Sequence, residues 1–191
     1  MNRKPDFNKD ILVGKVGEDD FEKYMQSSKK VLYYDNVSDD EFFQIIDVDF
    51  IQYTSFKPDG EKYTPEDIKG MILSHTKDKP AILYEVKTDS RSEKTRNVVY
   101  ELISHDSVGC AAISRSNYFY YVFVDKQNLS KIKERWLIDT KKWRRFIRTK
   151  FGRYDEDYIR ANNYDSYGDH VFNILCNIEL LNSLKVAKRI E

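Results

Sequence analysis

Four side chains in this 191-residue chain have the types and spacing to do chemistry: Asp47, Asp49, Glu85 and Lys87. Glu85 and Lys87 stand two apart in the run AILYEVKTDS, residues 81–90. Alternate residues of a strand share a face, so Leu83, Glu85, Lys87 and Asp89 line one side and Ile82, Tyr84 and Val86 the other. Read as extended chain, the earlier run QIIDVDFIQ puts Asp47 and Asp49 on one face with Ile45 and Ile51. Two carboxylates among Ile, Val and Phe are costly to bury unless something neutralises them. A divalent cation would do so. Asp49 and Glu85 on neighbouring strands supply hard oxygen ligands, and the Val86 carbonyl with waters completes an octahedron suited to Mg2+, with Mn2+ as a substitute. Lys87 beside the ion could orient a water and meet a phosphate oxygen, a division of labour suited to phosphodiester hydrolysis. Asp47 and Asp49 compete for the ligand position. The apolar Phe50-Ile51 that follows Asp49 favours Asp49 and leaves Asp47 as an accessory carboxylate. The plain alternative for Glu85 and Lys87 is a solvated ion pair on a strand face.

The elements that must hold these residues follow from pattern. A first helix is expected over residues 16–30, with Val16, Phe21, Tyr24 and Met25 as its apolar positions and acidic residues in its first turn. Residues 41–54 are β-rich and are read as a strand. The excursion that follows opens on a Pro-Asp-Gly turn and holds a short helix capped by Thr64, with Pro65 as its first residue. It is long for a connection between adjacent strands, which makes it a flap over substrate or a tolerated surface insertion. Strands are expected at 81–89, 95–104 and 118–125, with a short helix at 111–117 before the last. Helices are expected at 128–138 and through the basic segment 141–153, followed by a less regular tail. The fold class is therefore α/β: a mixed sheet covered by helices, in a single domain 1–191. Its core spans 15–125, and a helical, basic extension covers 128–191.

Net charge is zero, but the charge is segregated. Residues 16–50 carry ten acids against three lysines. Residues 141–153, KKWRRFIRTKFGR, carry seven basic side chains and no acid: Lys141, Lys142, Arg144, Arg145, Arg148, Lys150 and Arg153. Trp143, Phe146, Ile147 and Phe151 would face inward from that helix, and its cations would face solvent or the phosphates of a nucleic acid. The two cysteines, Cys110 and Cys176, are far apart and without zinc-ligand spacing, so neither a disulfide framework nor a structural zinc is expected, and the setting is read as cytoplasmic. No apolar run is long enough to span a membrane.

In this order the residues resemble the PD-(D/E)XK nuclease superfamily: an acid on one strand, Asp49, then Glu85-Val86-Lys87 on the next. A helix-borne Glu is matched by Glu18, with Glu22 one turn on. The expected order helix, three strands, helix, strand resembles that superfamily's restriction-endonuclease-like core. A finer likeness to small phage and bacterial members, including Holliday junction resolvases, runs through Thr95-Arg96-Asn97, the strand residue Glu101 and the serines 114 and 116, with Arg96 where those members carry glycine. The resemblance covers about residues 15–125. It implies a Mg2+-dependent endonuclease acting on duplex or branched DNA in recombination, repair or restriction, in a bacterial or phage-infected cell. Asp49, Glu85, Lys87 and Glu18 would be catalytic, with Glu22, Asp47 and Glu101 behind them, and a homodimer is a further expectation. The rival class is a non-catalytic protein that keeps the fold to bind nucleic acid or to inhibit a host defence.

Overall fold

A computed structural model describes residues 7–28, 30, 32–54, 56–74, 81–90, 94–105, 107–151, 159–166 and 169–191; of 7–10, 163–166 and 169 only the backbone is described. Arg153 lies outside the described residues. The architecture is mixed α/β. A six-stranded mixed sheet runs β1 (Tyr33–Asn36), β2 (Phe50–Tyr53), β3 (Ile82–Asp89), β6 (Tyr118–Val124), β7 (Ile132–Asp139), β10 (Ala187–Ile190). A second, four-stranded sheet runs β5 (Ser107–Val108), β4 (Asn97–Ser104), β9 (Asp169–Asn177), β8 (Ile159–Ser166). The helices are α1 (Phe7–Ser27), α2 (Glu41–Ile46), α3 (Pro65–Ser74), α4 (Cys110–Ile113), α5 (Thr140–Lys150) and α6 (Ile178–Ser183).

Strand β3 holds the arrangement together. It pairs antiparallel with β2, Phe50 opposite Tyr84, and parallel with β6, Glu85 opposite Phe119 and Lys87 opposite Tyr121. Its neighbour β6 is the aromatic run YFYYVFV, buried on both faces as central strands of mixed sheets are. Tyr120, Val122 and Val124 pack with Tyr84 and Val86 against α1, whose Val13, Phe21 and Met25 complete that layer. Phe119, Tyr121 and Phe123 face the other way, onto the second sheet (Val98, Tyr100, Ile174) and onto Trp143, Phe146 and Ile147 of α5. Alternation therefore puts Glu85 and Lys87 on the face that the second sheet and α5 cover. A third cluster joins Phe43 and Ile46 of α2 to Ile68 and Ile72 of α3 and to Leu83.

Several expectations are corrected. Residues 41–54 are not one strand: Asp40 accepts from the Phe42 N–H as N-cap, α2 follows, and Asp47 ends it in the left-handed region at φ 54°. Asp47, Asp49, Ile45 and Ile51 thus share no strand face, and Ile45 is exposed. The strand at 95–104 exists but lies in the second sheet, paired with β9 and β5. The edge position of the main sheet belongs instead to β1, a four-residue strand whose residues are almost all exposed, which leaves little alternation to read. Residues 128–191 are not a helical extension. β7 and β10 complete the main sheet, β8 and β9 build half of the second, and among the described residues of this span only α5 and α6 are helical. The helix capped by Thr64 is present, with the Thr64 hydroxyl accepting from the Asp67 N–H and Asp67 accepting from the Thr64 N–H in return.

Gly17 is mid-helix, not near a helix start, and it is where α1 touches β3. A Cβ there would lie 1.9 Å from Thr88 Oγ1 and 3.2 Å from Val86 Cγ1, whereas one at Gly14 would meet nothing within 4 Å. Gly17→Ala is expected to destabilise the chain by about 1–3 kcal/mol through overpacking. Gly14→Ala is expected to stabilise it by about 0.5–1 kcal/mol through helix propensity. Urea denaturation of both variants checks this, and equal effects would mean that α1 is not seated on β3 at Gly17.

Candidate functional site

The site forms where the end of α2, the centre of β3 and the start of α4 meet. Glu85 is its most enclosed member, 2% exposed. Lys87 Nζ lies 2.7 Å from Glu85 Oε1, while the lysine side chain keeps 39% of its surface exposed. The pair is thus neither a solvated surface bridge nor a sealed one. Its carboxylate is inside, and the lysine side chain leaves part of its surface open to solvent. Asp49, just before β2, is fixed by the backbone of β3: its N–H donates to the Tyr84 carbonyl at 3.0 Å, and its Oδ2 accepts from the Val86 N–H at 2.7 Å.

Asp47 is placed by α4. The Ser114 hydroxyl donates to the Asp47 carbonyl at 2.7 Å, and the Arg115 N–H donates to the Ile46 carbonyl. The start of α4 leans on β4, because Gly109 approaches Glu101 so closely that a Cβ would sit 2.6 Å from Glu101 Cγ. The Cys110 N–H then donates to Glu101 Oε2 at 3.3 Å. This brings a cysteine into the site. One ligand atom each from Asp47, Glu85 and Cys110 lie within 4.8 Å of one another. Among the described residues no hydrogen-bond partner reaches Asp47 Oδ2 or Glu85 Oε2, although both atoms are buried.

The electrostatics follow from crowding acids out of water. Burial pushes Glu85 up to about 8, with Asp49 and Asp47 adding to the rise and Lys87 opposing it. Burial also raises Asp49 and Asp47, again against the pull of Lys87. Burial, the largest single influence, would lower Lys87, but Glu85, Cys110 and Asp49 together outweigh it and hold the ammonium well above its ordinary value. Burial raises the Cys110 thiol as well. Three carboxylates and one cation thus share a pocket in which full ionisation leaves a surplus of negative charge.

Of the residues singled out in the sequence, Asp47, Asp49, Glu85, Lys87 and Glu101 come together. Asp47, rather than Asp49, shares the tight group with Glu85. Glu18 stands on α1, across the sheet from Glu85. Burial raises it first and the charge of Asp49 next, so Asp49 is the acid it approaches. Glu22 is further from the chemistry: its Oε1 accepts from the Tyr34 hydroxyl and from Gln26. Cys110 was missed, since no spacing rule links a cysteine to acids 25 and more positions upstream; a Gly-Cys step opening a short helix was the one local signal.

The basic helix divides. Arg144 donates to the carbonyls of Ala111 and Ser114 at the end of α4, so it braces the element that places Asp47. Lys142 donates to the Lys185 carbonyl and lies 3.5 Å from Asp139. Lys141, Arg145, Arg148 and Lys150 are exposed. Tyr120 and Tyr121 are core residues, bonded to Asp20 and Asp89, and are not open to stacking. No helix among the described residues is long and apolar enough to cross a membrane. No family model, curated protein or solved structure matches the chain.

Glu85 has an ordinary value of 4.5 and keeps its proton to about 8 in the folded chain. Between those values the folded state binds more protons than the unfolded one, so stability is expected to fall as pH rises through that window. Glu85→Gln cannot titrate and is expected to lose that part of the dependence. Urea midpoints measured against pH, with a chelator present, check this; parallel curves for the two proteins would show that Glu85 is ionised throughout.

Proposed function

We propose that the chain is a Mg2+-dependent nuclease that hydrolyses DNA phosphodiester bonds at the Asp47, Asp49, Glu85 and Lys87 cluster. One observation carries the reading: among the described residues two buried carboxylate oxygens, Asp47 Oδ2 and Glu85 Oε2, have no hydrogen-bond partner, and they lie beside the partly exposed side chain of Lys87. Carboxylates so placed fit a hard divalent ion, which takes oxygen ligands and offsets the surplus charge. Glu85 and Asp47 would hold it, with Asp49 alongside. When bound, the ion would supply Lewis acidity toward a phosphate oxygen and a lowered pKa for its water.

The remaining work falls to the chain's own groups. Lys87 stays protonated, so it donates a hydrogen bond and a positive charge to a phosphate rather than acting as a base. Asp49, locked to the Val86 N–H, helps keep β2 and β3 in register. Glu18, raised by burial and by Asp49, limits how much further negative charge the α1 side of the site tolerates. The exposed cations of α5 would position the backbone of the nucleic acid without reading its sequence. The element order supports the reading too. With α2 and α3 interposed between the first three strands and β4 and β5 lying in the second sheet, the remaining elements α1, β1, β2, β3, α4 and β6 follow the order helix, three strands, helix, strand, with β1, β2 and β3 antiparallel in succession and β6 parallel to β3. A cut through both strands of a duplex would require two such sites, hence a dimer.

Incubation of supercoiled plasmid, linear duplex and a four-way junction with Mg2+ or Mn2+ tests this directly. Wild type is expected to cut, and Glu85→Gln and Lys87→Ala to fail while still binding. Binding without cutting in all three proteins would leave the rival reading, a non-catalytic nucleic-acid-binding protein.

Salt dependence separates the roles within α5. Arg145→Ala and Arg148→Ala are each expected to reduce the log–log slope of DNA affinity against salt by about 0.9. Arg144→Ala is expected to leave that slope alone and to lower stability by about 1–3 kcal/mol, because carbonyls at the end of α4 lose a charged donor. A slope unchanged in all three variants would remove α5 from the interface.

A further inference from the structure

We propose that Asp47, Glu85 and Cys110 form a site for a thiophilic divalent cation of the Zn2+, Co2+ and Cd2+ class, with Cys110 Sγ as its distinguishing ligand. The three residues come from α2's end, β3 and α4's first position, and their ligand atoms lie within 4.8 Å of one another. Sulfur and oxygen atoms around a tetrahedral zinc lie roughly 3.5 Å apart, given metal–ligand bonds of about 2.0–2.3 Å. Small side-chain rotations therefore close the site.

A second observation points to a ligand independently of the cluster's composition. Glu85 is 2% exposed, and among the described residues its Oε2 has no hydrogen-bond partner. A carboxylate that enclosed is stable when its lone pairs are engaged, and among the described residues only Oε1 is engaged, through Lys87. Donor chemistry then selects the ion. Mg2+ gains nothing from a thiol, whereas borderline-soft ions take sulfur in preference to another carboxylate. Three protein ligands with a fourth position open is the number found in zinc sites that bind water or substrate.

The binding step balances simply. The Cys110 S–H bond breaks, and so does the O–H bond of Glu85 where that group is protonated; the protons pass to solvent, and the ion bonds to the Cys110 thiolate and to the Glu85 and Asp47 carboxylates, with no change of oxidation state. Cys176, the other cysteine, is buried in the core between the two sheets and takes no part. The site shares Glu85 and Asp47 with the proposed nuclease, so the thiophilic ion and Mg2+ exclude one another. The inference itself holds whether or not the chain cuts DNA.

The test is a titration of the full chain with Co2+, followed through the near-ultraviolet thiolate-to-cobalt charge-transfer band. Wild type and Cys176→Ala are expected to show a band that saturates at one Co2+ per chain, and Cys110→Ser to show none. Asp47→Asn and Glu85→Gln are expected to weaken Co2+ affinity at least about tenfold. Circular dichroism establishes that each variant is folded, and protection of Cys110 from alkylation by Zn2+ in wild type gives a second readout that needs no variant. Absence of the band in wild type, its survival in Cys110→Ser, or Co2+ bound with an oxygen-only spectrum would each overturn the proposal. Plasmid cutting is read separately: a charge-transfer band without cutting defeats the nuclease alone, and cutting without a band defeats the thiolate site alone.

Discussion

The molecule turns on a buried negative surplus at the middle of its central strand. Glu85 sits where β3 is walled by β2 and β6, and the strand's alternation delivers it to the face under the second sheet. A carboxylate in that position must be neutralised, protonated or coordinated. Lys87 on the same face answers one oxygen. The same fold shows how it handles a buried acid whose role is purely structural. Asp20 of α1 is 8% exposed, and it accepts two bonds from the Arg135 guanidinium, at 2.8 and 2.9 Å, and one from the Tyr120 hydroxyl at 3.0 Å. Every demand of Asp20 is met by protein. At Asp47 and Glu85, by contrast, one buried carboxylate oxygen of each has no hydrogen-bond partner among the described residues.

Elements outside the cluster are arranged to keep it in place. β4 and β9 form the roof over Phe119 and Tyr121, and β4 carries Glu101, which receives the first N–H of α4. From the other side α5 grips the end of α4 through Arg144. α4 in turn fixes Asp47 through Ser114. A helix that looks, from its composition, like a nucleic-acid clamp therefore has one cation turned inward as a brace, while Trp143, Phe146 and Ile147 bury its apolar stripe. The exposed cations remain for solvent or phosphate. Inward-facing and solvent-facing side chains are divided along a single helix by its 3.6-residue period.

How much of this was legible in the sequence depended on whether local pattern and tertiary setting agreed. Glu85 and Lys87 were placed correctly because a strand's period of two needs no knowledge of the partner strands. The Thr64-Pro65 cap and the α5 stripe are equally local. Residues 41–46 misled because Phe43 and Ile46, three apart, read as part of a β-rich run until Asp40 is recognised as a cap and Asp47 as a left-handed stop. In β7, Ile132, Trp136 and the residues between them suit a helix as well as a strand. Pairing with β6 and β10 decides the matter, and that information is not local. β8, IRANNYDS, is mostly polar, so its hydrophobic signal is diluted. Cys110 joins the site only through the crossover from β3 to β6, which no spacing between Asp47 and Cys110 encodes.

The same crossover explains why Asp47 and Asp49, two residues apart, have different fates. Asp49 continues into β2, so its backbone and carboxylate are both captured by β3, at the Tyr84 carbonyl and the Val86 N–H. A carboxylate held by a backbone donor is oriented but has less capacity left for a ligand. Asp47 lies two residues earlier, at the left-handed end of α2, where its carbonyl accepts from the Ser114 hydroxyl and, among the described residues, its Oδ2 has no hydrogen-bond partner. The apolar run after Asp49 marks the start of β2, so Asp49 is taken up by strand pairing while Asp47 stays outside it.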